Sequence, residues 1–200
     1  MTLDRFRPMA ERLLGPWVTL AQRLGLSPDG VSAVAFGAAV AAGAAFAVAE
    51  PVFYIAGALL VLLNGWLDLV DGALARRKGT ASKGGDFLDH VLDRYADIVI
   101  IAGFTAGVGA YALGFLAVTG VLMTSYLGTQ IQAVGIGREY GGLLGRADRL
   151  ALMGIVGGVA ALHATPIVGG LNVVELLLVV LAIVGHLTAI QRFRGAWTDL

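Results

Sequence analysis

NGWLDLVDGALARRKGTASKGGDFLDHVLD, residues 64–93, joins the end of one apolar run to the start of the next and puts four aspartates at the junction. Asp68 and Asp71 lie three residues apart and Asp89 and Asp93 four apart, so each pair projects from one face of its helix. The link between the helices is short and polar, which makes them antiparallel neighbours. Facing each other, they gather four carboxylates whose mutual repulsion demands protons or cations between them. Oxygen-only donors point to Mg²⁺ or Mn²⁺.

Outward from this junction the chain is apolar. Of 200 residues 58% are hydrophobic and 14% charged, with 29 glycines and a mean hydropathy of +0.81, far from a soluble composition. Six stretches, about 31–49, 52–75, 87–109, 111–134, 148–164 and 172–191, have the length needed to cross a hydrocarbon core about 30 Å thick. The expected fold is an all-α membrane protein with six transmembrane helices. Carboxylates in such segments cost on the order of 3 kcal/mol each on insertion scales, which argues for a functional reason to keep them. There is no cysteine, so disulfides, thiolate nucleophiles and Cys-bound metals are excluded.

The 14 Lys and Arg fall on one side of that topology. Arg5, Arg7, Arg12 and Arg23 precede the first apolar run. Arg76, Arg77, Lys78 and Lys83 separate the second from the third, and Arg94 lies early in the third. Arg138, Arg146 and Arg149 flank the fourth and fifth, and Arg192 and Arg194 follow the sixth. The connections near 50, 110 and 165–171 contain none, so both termini and the aspartate junction are expected on the cytoplasmic face of the cell membrane. No cleaved leader is expected, because the first long apolar run begins only near residue 31.

Residues 1–26 set Leu3, Phe6, Met9, Leu13, Leu14, Trp17 and Leu20 against Arg5, Glu11, Arg12 and Arg23. That pattern suits an amphipathic helix in the membrane interface, or a cytoplasmic cap packed on the bundle. Ser27-Pro28-Asp29-Gly30 is turn chemistry that opens the first apolar helix near Val31. Residues 1–200 read as one domain: the interfacial helix over 1–26 and a six-helix bundle over 27–196.

From Asp68 to Asp93 the sequence resembles the signature of the CDP-alcohol phosphatidyltransferase family, D-x2-D-G-x2-A-R-x8-G-x3-D-x3-D. Asp68, Asp71, Gly72, Ala75, Arg76, Gly85, Asp89 and Asp93 fill all eight specified positions. The resemblance implies the fold of that family and a homodimer with one active site per protomer. It implies transfer of a phosphatidyl or archaetidyl group from a CDP-activated lipid to an alcohol, with CMP released. Asp68, Asp71, Asp89 and Asp93 would hold Mg²⁺ or Mn²⁺, two ions being expected, and Asp93 would also serve as general base. Gly72, Ala75, Arg76 and Gly85 would form the CDP-lipid site. Pro28 and Ser32 match a Pro and a Ser or Thr that the family carries before its first span, and would line the nucleotide site; Ser32 reads equally well as a helix cap. No nucleic-acid partner is expected.

The acceptor is read from residues 137–149. Arg146 and Arg149, with Arg138 before them, suit a cationic pocket for an alcohol that itself bears phosphate, or else are topology charge. The pattern Arg146-Ala147-Asp148-Arg149 is similar to the branch of the family that uses inositol 1-phosphate; glycerol 3-phosphate or another polar alcohol is the alternative acceptor. Two other classes share acidic helices: a membrane prenyltransferase and a divalent cation transporter. Gly72, Ala75, Arg76 and Gly85 argue against the first. The position of the aspartates beside the basic loop, rather than at mid-membrane, argues against the second.

Overall fold

The computed structural model describes residues 7–137, 143–163 and 165–200, with side chains from residue 13 onward. It is all-helical. The described residues form seven helices: α1 Arg7–Arg23, α2 Pro28–Val48, α3 Pro51–Lys78, α4 Lys83–Val108, α5 Tyr111–Ala133, α6 Arg146–Leu162 and α7 Val173–Asp199.

The helix ends follow local chemistry. Ser27 caps α2, its Oγ accepting from Gly30 N at 3.0 Å, and Pro28 takes the first helical position, where a missing N–H costs nothing. The expected start near Val31 therefore moves back to Pro28. At the aspartate junction α3 runs on through Arg76, Arg77 and Lys78 until Gly79 turns it with φ +64°. Ser82 then caps α4 by accepting from Gly85 N at 3.1 Å. Both helices thus extend past the apolar runs that announced them, and the turn between them spans only 79–82.

Four helices are long and apolar enough to cross a membrane: α2, α3, α5 and α7. Helix α4 carries Lys83, Asp86, Asp89, Asp93, Arg94 and Asp97, so only 98–108 are continuously uncharged. Helix α6 has 17 residues.

Helix α2 packs on α3 and α4, α5 on α7, and α6 on α3. Small residues make two of these seams very close, as expected where helices cannot rely on a hydrophobic drive from lipid. A Cβ added to Gly103 of α4 would overlap the backbone of Gly43 in α2, and one on Gly185 of α7 would lie 2.6 Å from the carbonyl carbon of Gly120 in α5. Thr124 of α5 also donates to the Gly185 carbonyl at 2.8 Å. The central plug is Phe46, fully buried and stacked on Phe104 at 3.8 Å between centroids; it rests against Gly57 and Gly157.

Helix α1 sends Leu14, Val18 and Ala21 into a cluster with Val31, Val70 and Leu74. Trp17 meets Trp66 edge to face at 6.2 Å. Leu13, Trp17, Leu20 and Leu24 nevertheless remain largely exposed. The α3 end is tied to this region by Lys78 Nζ, which donates to Leu26 O at 2.7 Å, and by Arg77, which donates to Thr19 Oγ1 at 3.0 Å.

Candidate active site and metal centre

Helices α3 and α4 bring Asp68, Asp71 and Asp89 together so that one carboxylate oxygen from each lies within 4.8 Å of the others. Three hard anionic ligands at that separation match the donor set of Mg²⁺ or Mn²⁺. Asp93, one turn further along α4, stands apart from this trio. Its Oδ1 is 2.7 Å from Arg146 Nη2, while Arg146 Nη1 is 2.9 Å from Asp68 Oδ2. Arg146 therefore bridges Asp68 of the trio and Asp93, offsetting part of their charge.

The aspartates line a cleft of about 200 Å³ empty volume with Ser32, Ala35, Phe36, Asn64, Leu92, Ala96 and Arg146. Ser32 is not the cap of α2, since Ser27 holds that position. Its Oγ instead donates to Asp71 Oδ2 at 2.7 Å, fixing a buried carboxylate in place. Asn64 lies outside the signature, four residues before Asp68, and had no role assigned from the sequence. Its Nδ2 donates to Ala35 O at 2.9 Å, which leaves the buried Oδ1 facing the cleft without a hydrogen-bond partner. A lone amide one turn before Asp68, in an otherwise apolar stretch, was the available signal.

Of the residues expected to hold the CDP-lipid, Gly72, Ala75 and Arg76 follow Asp71 along α3, and Arg76 is exposed. A Cβ on Gly72 would come 3.3 Å from the Arg76 guanidinium, so the missing side chain leaves that fork room beside the aspartates. Gly85 lies at the start of α4, where a Cβ would meet Asp29 Oδ1 at 3.4 Å. Pro28 is on the neighbouring first turn of α2. None of these five residues lines the cleft itself; they lie on the same ends of α2, α3 and α4 as the aspartates.

The arginines expected at the acceptor pocket divide. Arg138 lies outside the described residues. Arg146 and Arg149 open α6, whose start is shaped by Asp148 accepting from Gly145 N at 3.0 Å. Arg149 is buried, donating to Asp97 Oδ2 at 3.1 Å and weakly to Leu144 O at 3.4 Å. On its other side Arg149 borders a second cleft of about 210 Å³ empty volume, lined also by Thr124, Gly185 and Thr188. No sequence pattern marks these last residues, which are isolated polar or small positions inside long apolar runs. Arg94 donates to Ser125 Oγ and lies 3.5 Å from Asp93 and 3.8 Å from Asp97. His90 and Asp86 sit at the outer edge, 3.7 Å apart.

The family model described as CDP-alcohol phosphatidyltransferase matches residues 26–191. Archaetidylinositol phosphate synthase from Methanothermobacter thermautotrophicus is 35% identical over 199 residues, covering 99% of this chain and 95% of the relative. Phosphatidylinositol phosphate synthase from Streptomyces avermitilis is 31% identical over 193 residues, covering 93% and 78%. Among solved structures, phosphatidylinositol phosphate synthase from Mycobacterium tuberculosis with CDP-DAG bound aligns with a TM-score of 0.79 at 26% identity over 94% of each chain. The same enzyme in complex with manganese and citrate gives a TM-score of 0.79 at 25% identity, covering 92% of this chain and 89% of the other.

Proposed function

The chain belongs to the CDP-alcohol phosphatidyltransferase family, a multi-pass membrane transferase of phospholipid biosynthesis, and from that premise we propose that it moves the phosphatidyl or archaetidyl group of a CDP-lipid onto inositol 1-phosphate and releases CMP. The observation that carries this reading is the convergence of Asp68, Asp71 and Asp89 from two helices, with Asp93 held just beyond them by Arg146. The inositol phosphate acceptor is supported by the names of the relatives and by the two arginines that open α6.

Asp68, Asp71 and Asp89 hold the metal, which supplies charge neutralisation for the diphosphate and the departing CMP. Ser32 keeps Asp71 oriented. Gly72, Ala75, Arg76, Gly85 and Pro28 accept the nucleotide end of the donor, Arg76 as a fork for phosphate oxygens. Asp93 takes the proton from the acceptor hydroxyl as it attacks the phosphorus bearing the lipid. Arg146 and Arg149, with Arg138, receive the acceptor's own phosphate.

The same reading places α2 to α7 as six spans of a single domain. Helix α4 enters the bilayer through its uncharged stretch 98–108. Helix α1 lies in the interface with Leu13, Trp17, Leu20 and Leu24 toward lipid. Both termini and the cleft face the cytoplasm, and two protomers pair. The one-sided distribution of basic residues supports the orientation.

The test is CMP release by the purified protein in detergent with Mg²⁺ or Mn²⁺ and a CDP-lipid, supplying inositol 1-phosphate or glycerol 3-phosphate separately. Release with inositol 1-phosphate, abolished by EDTA and restored by Mn²⁺, is the expected outcome. Release only with glycerol 3-phosphate would overturn the acceptor, and release with no added acceptor dependence would overturn the transferase reading.

A further inference from the structure

Asp97 takes no part in the signature or in the reading above, yet it is among the least accessible of the described groups, at 0% exposure near the middle of α4. Three arginines from two helices surround it. Arg149 Nη2 is 3.1 Å from Oδ2, Arg94 Nη1 is 3.8 Å from Oδ2, and Arg146 Nε is 4.0 Å from Oδ1. Only the first is a hydrogen bond; the other two are held by charge.

Each arginine also reaches outward. Arg146 spans Asp68 and Asp93, and Arg94 reaches Ser125 on α5. Asp89, Asp93 and Asp97 form one stripe on α4, four residues apart, so this stripe passes from the metal trio through the base candidate to the arginine hub. Three guanidinium groups so close would repel one another without an anion between them. Asp97 supplies that anion without exhausting their donors: the buried Nε of Arg146 and of Arg149 have no hydrogen-bond partner. Arg146 lines the aspartate cleft and Arg149 the second cleft, so Asp97 ties together two guanidinium groups that each border a cleft.

We propose that Asp97 is a positioning residue that holds Arg146 and Arg149 in register for a phosphate monoester on the acceptor. It touches neither substrate; it acts through the two arginines. The inference rests on the phosphorylated-acceptor reading given above, and its experiment separates the two.

Asp97→Asn keeps the shape and one acceptor oxygen but removes the charge. Acceptor and donor KM, kcat, Mn²⁺ affinity and thermal unfolding are measured on the purified protein. The expected result is an acceptor KM raised at least about tenfold, with donor KM and Mn²⁺ affinity within about twofold of the unsubstituted protein. Combining it with Arg149→Gln should raise acceptor KM no further than the larger single effect, because the two residues act as one unit. An unchanged acceptor KM, or equal increases for donor and acceptor, would overturn the proposal.

If Asp97→Asn fails to fold, Asp97→Glu carries the test, since it retains the charge and displaces the hub by one methylene. A raised acceptor KM supports positioning and a normal one refutes it. Failure of the unsubstituted protein to use inositol 1-phosphate would sink the acceptor reading alone; the same variants measured with glycerol 3-phosphate, also a monoester, would then decide the role of Asp97. Use of only unphosphorylated alcohols would defeat both.

Discussion

Replacing Asp93 with Asn separates the base from the metal ligands. The two side chains have the same shape, and the Asp93 side chain is only 14% exposed, so little water enters to compensate. Arg146 would keep its 2.9 Å contact to Asp68, and an amide oxygen can still accept from the Nη2 now 2.7 Å away. The metal trio does not include Asp93. What is lost is proton acceptance from the attacking hydroxyl, worth about 10²–10⁴ in rate. At about 1.36 kcal/mol per decade this raises the barrier by about 3–5 kcal/mol. The assay is single-turnover CMP release at saturating donor and acceptor, with Mn²⁺ binding followed by electron paramagnetic resonance. The expected result is a rate lowered at least about a hundredfold with Mn²⁺ affinity within a few-fold of normal. A rate within about threefold of normal would refute the base assignment. Loss of Mn²⁺ binding as deep as in Asp89→Asn would instead make Asp93 a ligand.

Ser32→Ala removes the 2.7 Å hydrogen bond to Asp71 and should weaken Mn²⁺ binding about 10- to 100-fold, as loss of groups that orient a metal ligand does, measured by titration of the resonance signal. Gly185→Ala sets a methyl 2.6 Å from the Gly120 carbonyl carbon. It should cost about 1–3 kcal/mol, read as a lowered midpoint of thermal unfolding in detergent.

The aspartate junction was legible from spacing alone, because i,i+3 and i,i+4 carboxylates on adjacent helices have few arrangements open to them. The apolar runs located the helices but misjudged their ends, since Ser27, Gly79 and Ser82 set those ends by hydrogen bonding rather than by hydropathy. Helix α7 reaches Asp199, eight residues past its apolar run, through a polar last turn that hydropathy does not register. Ser32 was ambiguous because a serine near a helix start suits capping, and only the approach of α3 to α2 reveals Asp71 as its partner. The pairing of Arg149 with Asp97 spans 52 residues between helices α4 and α6. A single sequence carries no record of which distant charges meet, so Arg149 read as a pocket cation or a topology charge, with nothing to pair it with Asp97.

The seams between the helices divide the site mechanically. Where Gly43 of α2 meets Gly103 of α4 and Gly120 of α5 meets Gly185 of α7, backbone lies against backbone, with no side chain between them able to change rotamer. Helix α6 rests on α3 and on the plug differently, through Leu62 against Gly154 and Phe46 against Gly157, contacts made by side-chain tips. The aspartates of α4 are therefore borne on a stiff frame and the arginines of α6 on a yielding one. On the proposed assignment of the α6 arginines to the acceptor, substitutions in the yielding half are expected to alter which alcohol is admitted while the half assigned to the nucleotide lipid stays as it is, which makes acceptor preference the property of this scaffold most open to redesign.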